Sequence, residues 1–404
     1  MAVTRTLSER RLVIVIGAVV LVDTMFYAAI APLLPSLARS LHMSKLAAGV
    51  MTAGYPAGTL VGSLPGGVLA VRAGPKRTVY AGLALLAVST LGFGLLNDVA
   101  WLDAARFVEG VGGACSWAGG LAWIVAEAPA QRRGGLIGSA LGAAIAGSLF
   151  GPVVGTVANA VGRAAAFSAV VVLSLALIDQ ARRLPLEHTA SGQGAAELLV
   201  SVRERAVRWG MWLMVLPAIV SGLLNVLGAL RLHRLGASVP AIGATFLVAS
   251  ALEALTSPGV GRLSDRRGRV VPMRAGLVAV AGLLACFTLP SRALLLAALI
   301  VATAVALAAF WAPSMAMLSD AAEATGLDQA LAAAVMNLAW AGGQIVGSAA
   351  GGAVAKAAGD GVPMAAAAVA CGATLLALAR SRPRPARGSR STRWSGTAGR
   401  RRRR

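Results

Sequence analysis

The sequence predicts an all-α polytopic membrane protein, with twelve transmembrane helices in two pseudo-symmetric six-helix bundles. Composition, the spacing of apolar runs and an internal repeat each point there. Of 404 residues, 57% are hydrophobic and 13% charged, and mean hydropathy is +0.75. A water-soluble chain cannot hide that much apolar surface. The 48 glycines are spread through the apolar runs, where close-packed membrane helices use them.

About 20 helical residues cross a bilayer. Breaking the chain at charges, Pro/Gly clusters and polar turns gives spans at 12–38, 46–70, 77–96, 100–125, 134–158, 163–180, 209–230, 240–261, 272–290, 293–318, 329–355 and 362–380. The first follows Arg5, Arg10 and Arg11 and resembles a signal peptide at its start. It runs on through Ala38 without a clear small-residue cleavage site, so it reads as a retained first helix. The longest break, 181–208, is polar and divides six spans from six. The expected organisation is an N-terminal cytoplasmic segment 1–11, a first bundle 12–180, a cytoplasmic linker 181–208, a second bundle 209–380 and a basic cytoplasmic tail 381–404.

The distribution of positive charge tests that count. With the N-terminus in the cytoplasm, alternation puts 29 Lys/Arg inside and 7 outside, with Arg106 inside the fourth span. Without the tail the ratio is still 18 to 7. The expected location is the inner (plasma) membrane, multi-pass, with both termini cytoplasmic. The net charge of +21 would suggest nucleic acid in a soluble protein. Here 11 of the 37 basic residues lie in Arg380–Arg404 with no recognition motif, which fits attraction to anionic lipids of the inner leaflet. Cys115, Cys286 and Cys371 sit in apolar runs and are expected to pack. His42, His188 and His233 fall in loops at no metal-ligand spacing. There is no HExxH and no phosphate-binding loop, so neither an enzyme, a metal, a cofactor nor an ATP-driven pump is expected.

The repeat comes from two features. Gly67 to Arg77, with Arg72 and Gly74, follows span 2, and Gly261-Arg-Leu-Ser-Asp265-Arg266-Arg267-Gly268-Arg269 follows span 8, offset by 194. Gly147, Gly151 and Gly155 in span 5 recur as Gly343, Gly347 and Gly351 in span 11, offset by 196. A duplicated half with an even number of helices gives parallel repeats. Such repeats place a binding site between the halves near the midplane.

These motifs resemble those of the major facilitator superfamily of transporters, and within it the twelve-helix drug:proton antiporters, over residues 12–380. Gly261 to Arg269 is similar to the family's signature loop, G-x-L-x-D-R-x-G-R. The first copy departs from it, with Val71 in place of an acid and Pro75 in place of a base. Leu102-x-x-x-Arg106-x-x-Glu109-Gly110-x-Gly112 resembles the second motif, with glutamate where glutamine is common. Gly147-x-x-x-Gly151-Pro152-x-x-Gly155 resembles the motif associated with antiporters, and Asp23-Thr-Met with Pro32 and Pro35 resembles the start of drug and amine exporters. The resemblance implies the major facilitator fold, a small-molecule substrate, protons as coupling ion and one chain as the working unit.

Asp23 lies roughly 16 Å into the first span at 1.5 Å per residue. A carboxylate there costs about 2.5–3.5 kcal/mol on insertion scales and needs a partner or a proton. It is a candidate proton or cation site, with a structural partner role as the alternative. Arg106 and Glu109, three apart, share a helix face; they form either a packing ion pair or part of the coupling site. Glu253 is expected to be structural, near the signature loop, with a cavity role as the alternative. Asp265, Arg266 and Arg269, with Gly268 permitting a tight turn, are expected to latch the outward-open state through an ion pair with neighbouring helix ends, with arginines that only fix topology as the alternative; with Val71 that latch is lopsided. Asp320, Glu323 and Asp328 read as a solvated loop. Trp117, Asn225, Trp311, Asn337, Trp340 and Gln344 are candidates for the cavity wall, with ordinary packing or an interfacial anchor as the alternative for each.

The function expected is proton-coupled efflux of small amphipathic or cationic compounds by alternating access. The alternatives are a facilitator or importer of a metabolite such as a sugar or amino acid, and a non-transporting receptor or assembly protein of the same fold.

Overall fold

The computed structural model describes residues 2–127, 133–184, 195–327 and 329–380, and these form helices joined by short turns. Six long helices come first: α1 (Ala2–Ser40), α2 (Lys45–Arg72), α3 (Pro75–Leu95), α4 (Val99–Glu127), α5 (Arg133–Val161) and α6 (Arg163–Arg182). A short helix, α7 (Ala195–Arg203), lies in the expected linker. Next, α8 (Arg205–Leu223) runs through a π turn, Leu224–Gly228, into α9 (Ala229–Arg234). α10 (Val239–Arg267), α11 (Val270–Ala285) and α12 (Ala293–Glu323) follow. α13 (Gln329–Ile345) passes through a second π turn, Val346–Ala350, into α14 (Gly351–Ala358), and α15 (Gly361–Arg380) closes the described chain.

Counting each π-interrupted pair once, there is one rod for every expected span. Eight rods are both long and apolar enough to cross a bilayer. Of the others, α11 is apolar but shorter, at 16 residues. α2 packs on α4 and also on α13 and α14. α4 carries Asp103, Arg106 and Glu109.

Several details differ from expectation. α1 starts at Ala2, so residues 2–11 continue the first helix. α11 ends at Ala285, short of residue 290; the chain must turn ahead of Pro290, which cannot continue a helix. Cys286, at that helix end, is exposed, whereas Cys115 and Cys371 are buried. His233 is in the last turn of α9 rather than in a loop, and His188 lies outside the described residues. Asp320 and Glu323 belong to the last turns of α12; Asp328 and the tail 381–404 also lie outside the described residues.

The repeat is written into the turns. His42 (φ 51°) and Gly236 (φ 88°) take left-handed backbone 194 residues apart, Gly74 (φ 95°) and Gly268 (φ 82°) do so at the same offset, and Gly162 (φ 95°) and Gly359 (φ 87°) at 197. Left-handed turns suit glycine because a Cβ would collide with the backbone.

Glycine rows explain the tightest packing inside each bundle. A Cβ on Gly147, Gly151 or Gly155 of α5 would run into the carbonyl oxygens of Leu21, Met25 and Ala29 on α1. A Cβ on Gly343 or Gly347 of α13 and its π turn would meet those of Val215 and Ile219 on α8. Thr24 adds a hydrogen bond from its hydroxyl to the Ala144 carbonyl of α5, 3.1 Å. Between the bundles, α2 lies against α13, α14 and their π turn, and α5 and α1 lie against α10. There a Cβ on Gly49 would strike the Ser348 carbonyl, and one on Gly352 the Lys45 carbonyl.

Candidate functional site

The first bundle buries three ionisable side chains at one junction of α1, α2 and α4. Asp23, Arg106 and Glu109 are all almost completely buried. Arg106 Nη1 donates to Glu109 Oε2 at 2.8 Å, along one face of α4. The same guanidinium reaches across to α1, toward the carbonyls of Phe26 and Tyr27, each at 3.4 Å. On α2, Tyr55 donates its hydroxyl proton to Asp23 Oδ2 at 2.7 Å. Its ring lies 5.4 Å from the Arg106 guanidinium. Trp117, one of the expected wall residues, supports the Asp23 carboxyl from α4.

Small residues make this junction possible. A Cβ on Gly113 would stand 2.6 Å from the Tyr55 hydroxyl and 2.7 Å from Asp23 Oδ1, and one on Gly54 2.8 Å from Arg106 Cβ. On Gly110 it would strike the Tyr55 carbonyl. The glycines of α4 thus let two helices approach closely enough for short polar contacts.

The junction is only partly satisfied. Asp23 Oδ1, Glu109 Oε1 and Arg106 Nε are buried without a hydrogen-bond partner, as is Oδ1 of Asp103 one turn earlier on α4. With Asp23 and Glu109 both ionised, the three side chains carry two negative charges against one positive. A single proton brings them to neutrality.

Above this junction stands an aromatic group contributed by both bundles. Tyr27 lies 4.9 Å from Tyr55, and Trp340 of α13 lies 5.4 Å from Tyr27 and 6.5 Å from Tyr55, centroid to centroid. Gln344, one turn beyond Trp340, sits beside the Tyr27 hydroxyl. The candidates Trp340, Gln344 and Trp117 are therefore gathered with Asp23, Arg106 and Glu109. Asn225 lies in the first π turn and Asn337 on α13, both half-buried. Trp311 packs against hydrophobic cores and has no recorded contact with the charged junction. Tyr27, Tyr55, Gly113 and Asp103 were missed by sequence reasoning. The signal was available for the tyrosines: the chain has only three, and a tyrosine in an apolar run needs a partner for its hydroxyl.

The signature loops sit away from this centre. Arg269 pairs with Asp320 at the end of α12, inside the second bundle, and Gly268 supplies the left-handed turn. Arg266 is exposed, and the Asp265 side chain lies outside the described residues. In the first copy, Gly74 makes the equivalent turn, Arg72 ends α2 with no ion pair among the described residues, and Lys76 donates to the carbonyls of Arg182 and Leu184 at 2.9 and 2.7 Å. Cβ atoms on Gly67 and Gly261 would meet open space.

On the face opposite these loops, a second charge cluster joins the bundles. Lys45, at the start of α2, donates to Asp360 Oδ1 at 2.5 Å, and Arg234 of α9 to Oδ2. Arg231 stands 3.9 Å from the same oxygen. Burial favours the neutral form of the Asp360 carboxyl, but the hydrogen bonds from Lys45 and Arg234 and their charges outweigh it and hold the carboxyl below its ordinary value.

Two duplicated helical bundles of membrane-spanning length, packed around buried charges, define a secondary membrane transporter. The family model of the Major Facilitator Superfamily matches residues 16–232 and 206–402, and the chain belongs to that family. Among curated proteins it is similar to an uncharacterized MFS-type transporter, YcaD, of Escherichia coli O7:K1 (strain IAI39 / ExPEC). Identity is 28% over 264 residues, 64% of this chain and 67% of that one. The YcaD protein of Shigella flexneri matches at the same identity and coverage. Among solved structures, a bacterial homolog of the human lysosomal transporter Spinster, inward-facing and unoccupied, superposes with a TM-score of 0.76. It is 15% identical and the match covers 92% of this chain and 97% of that one, a likeness of fold. The protein is thus a multi-pass membrane transporter for a small molecule.

Proposed function

We propose that the protein is a proton-coupled antiporter that exports small amphipathic or cationic compounds. One observation carries this reading. Asp23, Glu109 and Arg106 form a buried array with one net negative charge and two carboxylate oxygens left without partners. Such an array is satisfied either by a proton or by the positive end of a ligand. Competition between the two is what exchange requires, because each ligand biases the equilibrium between states only through its differential affinity.

The aromatic group of Tyr27, Tyr55 and Trp340 suits an apolar cation, since ring faces attract positive charge. Because Trp340 comes from the other bundle, a ligand held there would feel the relative motion of the halves. The Lys45–Asp360–Arg234 cluster serves as the gate on the face it closes. By the 29-to-7 distribution of basic residues, that face is external, both termini are cytoplasmic, and the membrane is the inner (plasma) membrane. The bundles 12–180 and 209–380 are the rocking units, joined by the linker 181–208. The tail 381–404 binds anionic lipids, and a single chain is the working unit.

The test is solute-driven proton flux in proteoliposomes, with a panel of cationic drugs and metabolites. Wild-type protein should move protons against at least one cation, and Asp23→Asn should abolish the flux. Cation movement that proceeds with no proton flux would leave a facilitator in place of an antiporter.

A further inference from the structure

Outside the charged junction, one ionisable group within the membrane has no role yet. Glu253 lies on α10, 14 residues after Val239, so ~21 Å from the gate-side end of that helix at 1.5 Å per residue. Asp23 lies 17 residues before Ser40, ~26 Å from the same face. The two carboxylates, one in each bundle, therefore stand at nearly the same depth.

The orientation of Glu253 follows from its helix. Val248, Leu252 and Leu255 are exposed and, with Gly259, form the stripe that faces lipid. At ~100° per residue, Glu253 points ~130° away from that stripe, on the side of Ile242, Phe246 and Ala249, which are buried. That side faces protein, where α10 packs against α1 and α5 of the first bundle and α12 of its own. Yet Glu253 is only half-buried, so its side chain is not sealed into a packed core.

No charged group among the described residues answers it. Among the described residues no ion pair or hydrogen bond reaches its carboxylate. α12 contains no lysine or arginine, and α5 has none beyond Arg133 at its first position. The hydroxyls of Thr256 and Ser257 are spent on backbone carbonyls of their own helix. The structural role expected from the sequence, near the loop at Gly261, has no contact to support it. An ionised carboxylate at this depth is costly and unpaired ones are rare, so a carboxylate with no partner in the protein suits one that arrives with a ligand.

We infer that Glu253 is the second-bundle half of the binding site, an anionic anchor for an organic cation held between the two bundles. Asp23 then engages the cation from the first bundle and Glu253 from the second, which ties ligand occupancy to the distance between halves. The inference rests on the cation-export reading and adds to it the second anchor, on α10.

The probe is radiolabelled tetraphenylphosphonium, a permanent apolar cation, with binding to the purified full-length protein measured by scintillation proximity. Wild type, Glu253→Gln, Glu253→Asp and Asp23→Asn are compared at one pH, each shown to elute as a monodisperse peak. Glu253→Gln should weaken binding about tenfold or more, the scale of a lost charged hydrogen bond, while Glu253→Asp keeps most of the affinity. A merely structural glutamate would give no such rescue by charge. Unchanged affinity in Glu253→Gln overturns the inference, and if Asp23→Asn still abolishes proton flux, the antiport reading stands without it. A wild type that binds no tetraphenylphosphonium overturns the inference as well, and proton flux against other cations would show that antiport survives.

Discussion

The two bundles share one scaffold and differ in what they bury. In both, a glycine row seats one helix on the backbone of another, and left-handed turns recur at offsets of 194 and 197. At the offset of 194, however, Asp23, Arg106 and Glu109 correspond to Pro217, Ile300 and Thr303. Ile300 is a core residue, and Thr303 donates its hydroxyl to the Leu299 carbonyl at 2.7 Å. Duplication preserved the geometry that lets helices pack, because every backbone contact depends on it. Charge was free to diverge, because a transporter needs only one place where proton and ligand compete. On the proposed reading, the first bundle carries that chemistry, and the second contributes Trp340, Gln344 and Glu253.

The largest difference between the halves should appear when one charge is removed. Arg106→Ala leaves Glu109 buried without its cation and should cost about 3–5 kcal/mol, read as thermal unfolding in detergent. Ile300→Val at the matching position should cost only about 0.5–1.5 kcal/mol. Equal losses would break the contrast. Next comes Gly113→Ala, where a Cβ would stand 2.6 Å from the Tyr55 hydroxyl. Overpacking of this kind costs about 1–3 kcal/mol, and transport should fall further than stability because the Asp23–Tyr55 pair is parted.

The shared scaffold makes the opposite forecast. Gly151→Ala and Gly347→Ala occupy matching places in the two rows and should each lose about 1–3 kcal/mol. A loss confined to one half would mean the rows are not equivalent.

The proposed gate gives a smaller, pH-dependent effect. Asp360→Asn should raise the share of molecules open at that face by about fivefold, ~1 kcal/mol because Lys45 and Arg234 keep solvent contact around the buried carboxylate, measured as the distance between spin labels at Leu46→Cys and Ser238→Cys. The Asp360 carboxyl is held below its ordinary value, so its stabilisation is complete above the unfolded value of about 4. It is lost as pH falls through the lower folded value. Closure should therefore be flat from neutral pH down to about 4 and weaken only below. Smallest of all, Arg269→Ala removes an exposed pair with Asp320 and should cost about 0.2–1 kcal/mol.

Much of this was legible in the sequence. Apolar runs, the repeat and the basic-residue asymmetry marked each span because bilayer thickness fixes helix length. Asp23, Arg106 and Glu109 stood out because charge within an apolar run is expensive. What the sequence could not supply was neighbours distant along the chain. Tyr55 approaches Asp23 through the thinness of Gly113, and Asp360 meets Lys45 from the other end of the protein. Asp320 looked like loop because its partner, Arg269, lies 51 residues away. For Glu253 the sequence left a structural role near the loop and a cavity role both open, because its rotation about α10, toward the side of Ile242, Phe246 and Ala249, depends on the fold.

The central claim is that proton and ligand compete for the array around Asp23. Its most direct test is proton release by the detergent-solubilised protein when a transported cation is added, followed with a pH indicator in weakly buffered solution. The account predicts release of about one proton per bound cation from wild type, matching the single proton that neutralises the array, and none from Asp23→Asn that still binds. Equal release from both proteins, or binding by wild type with no release, would contradict it.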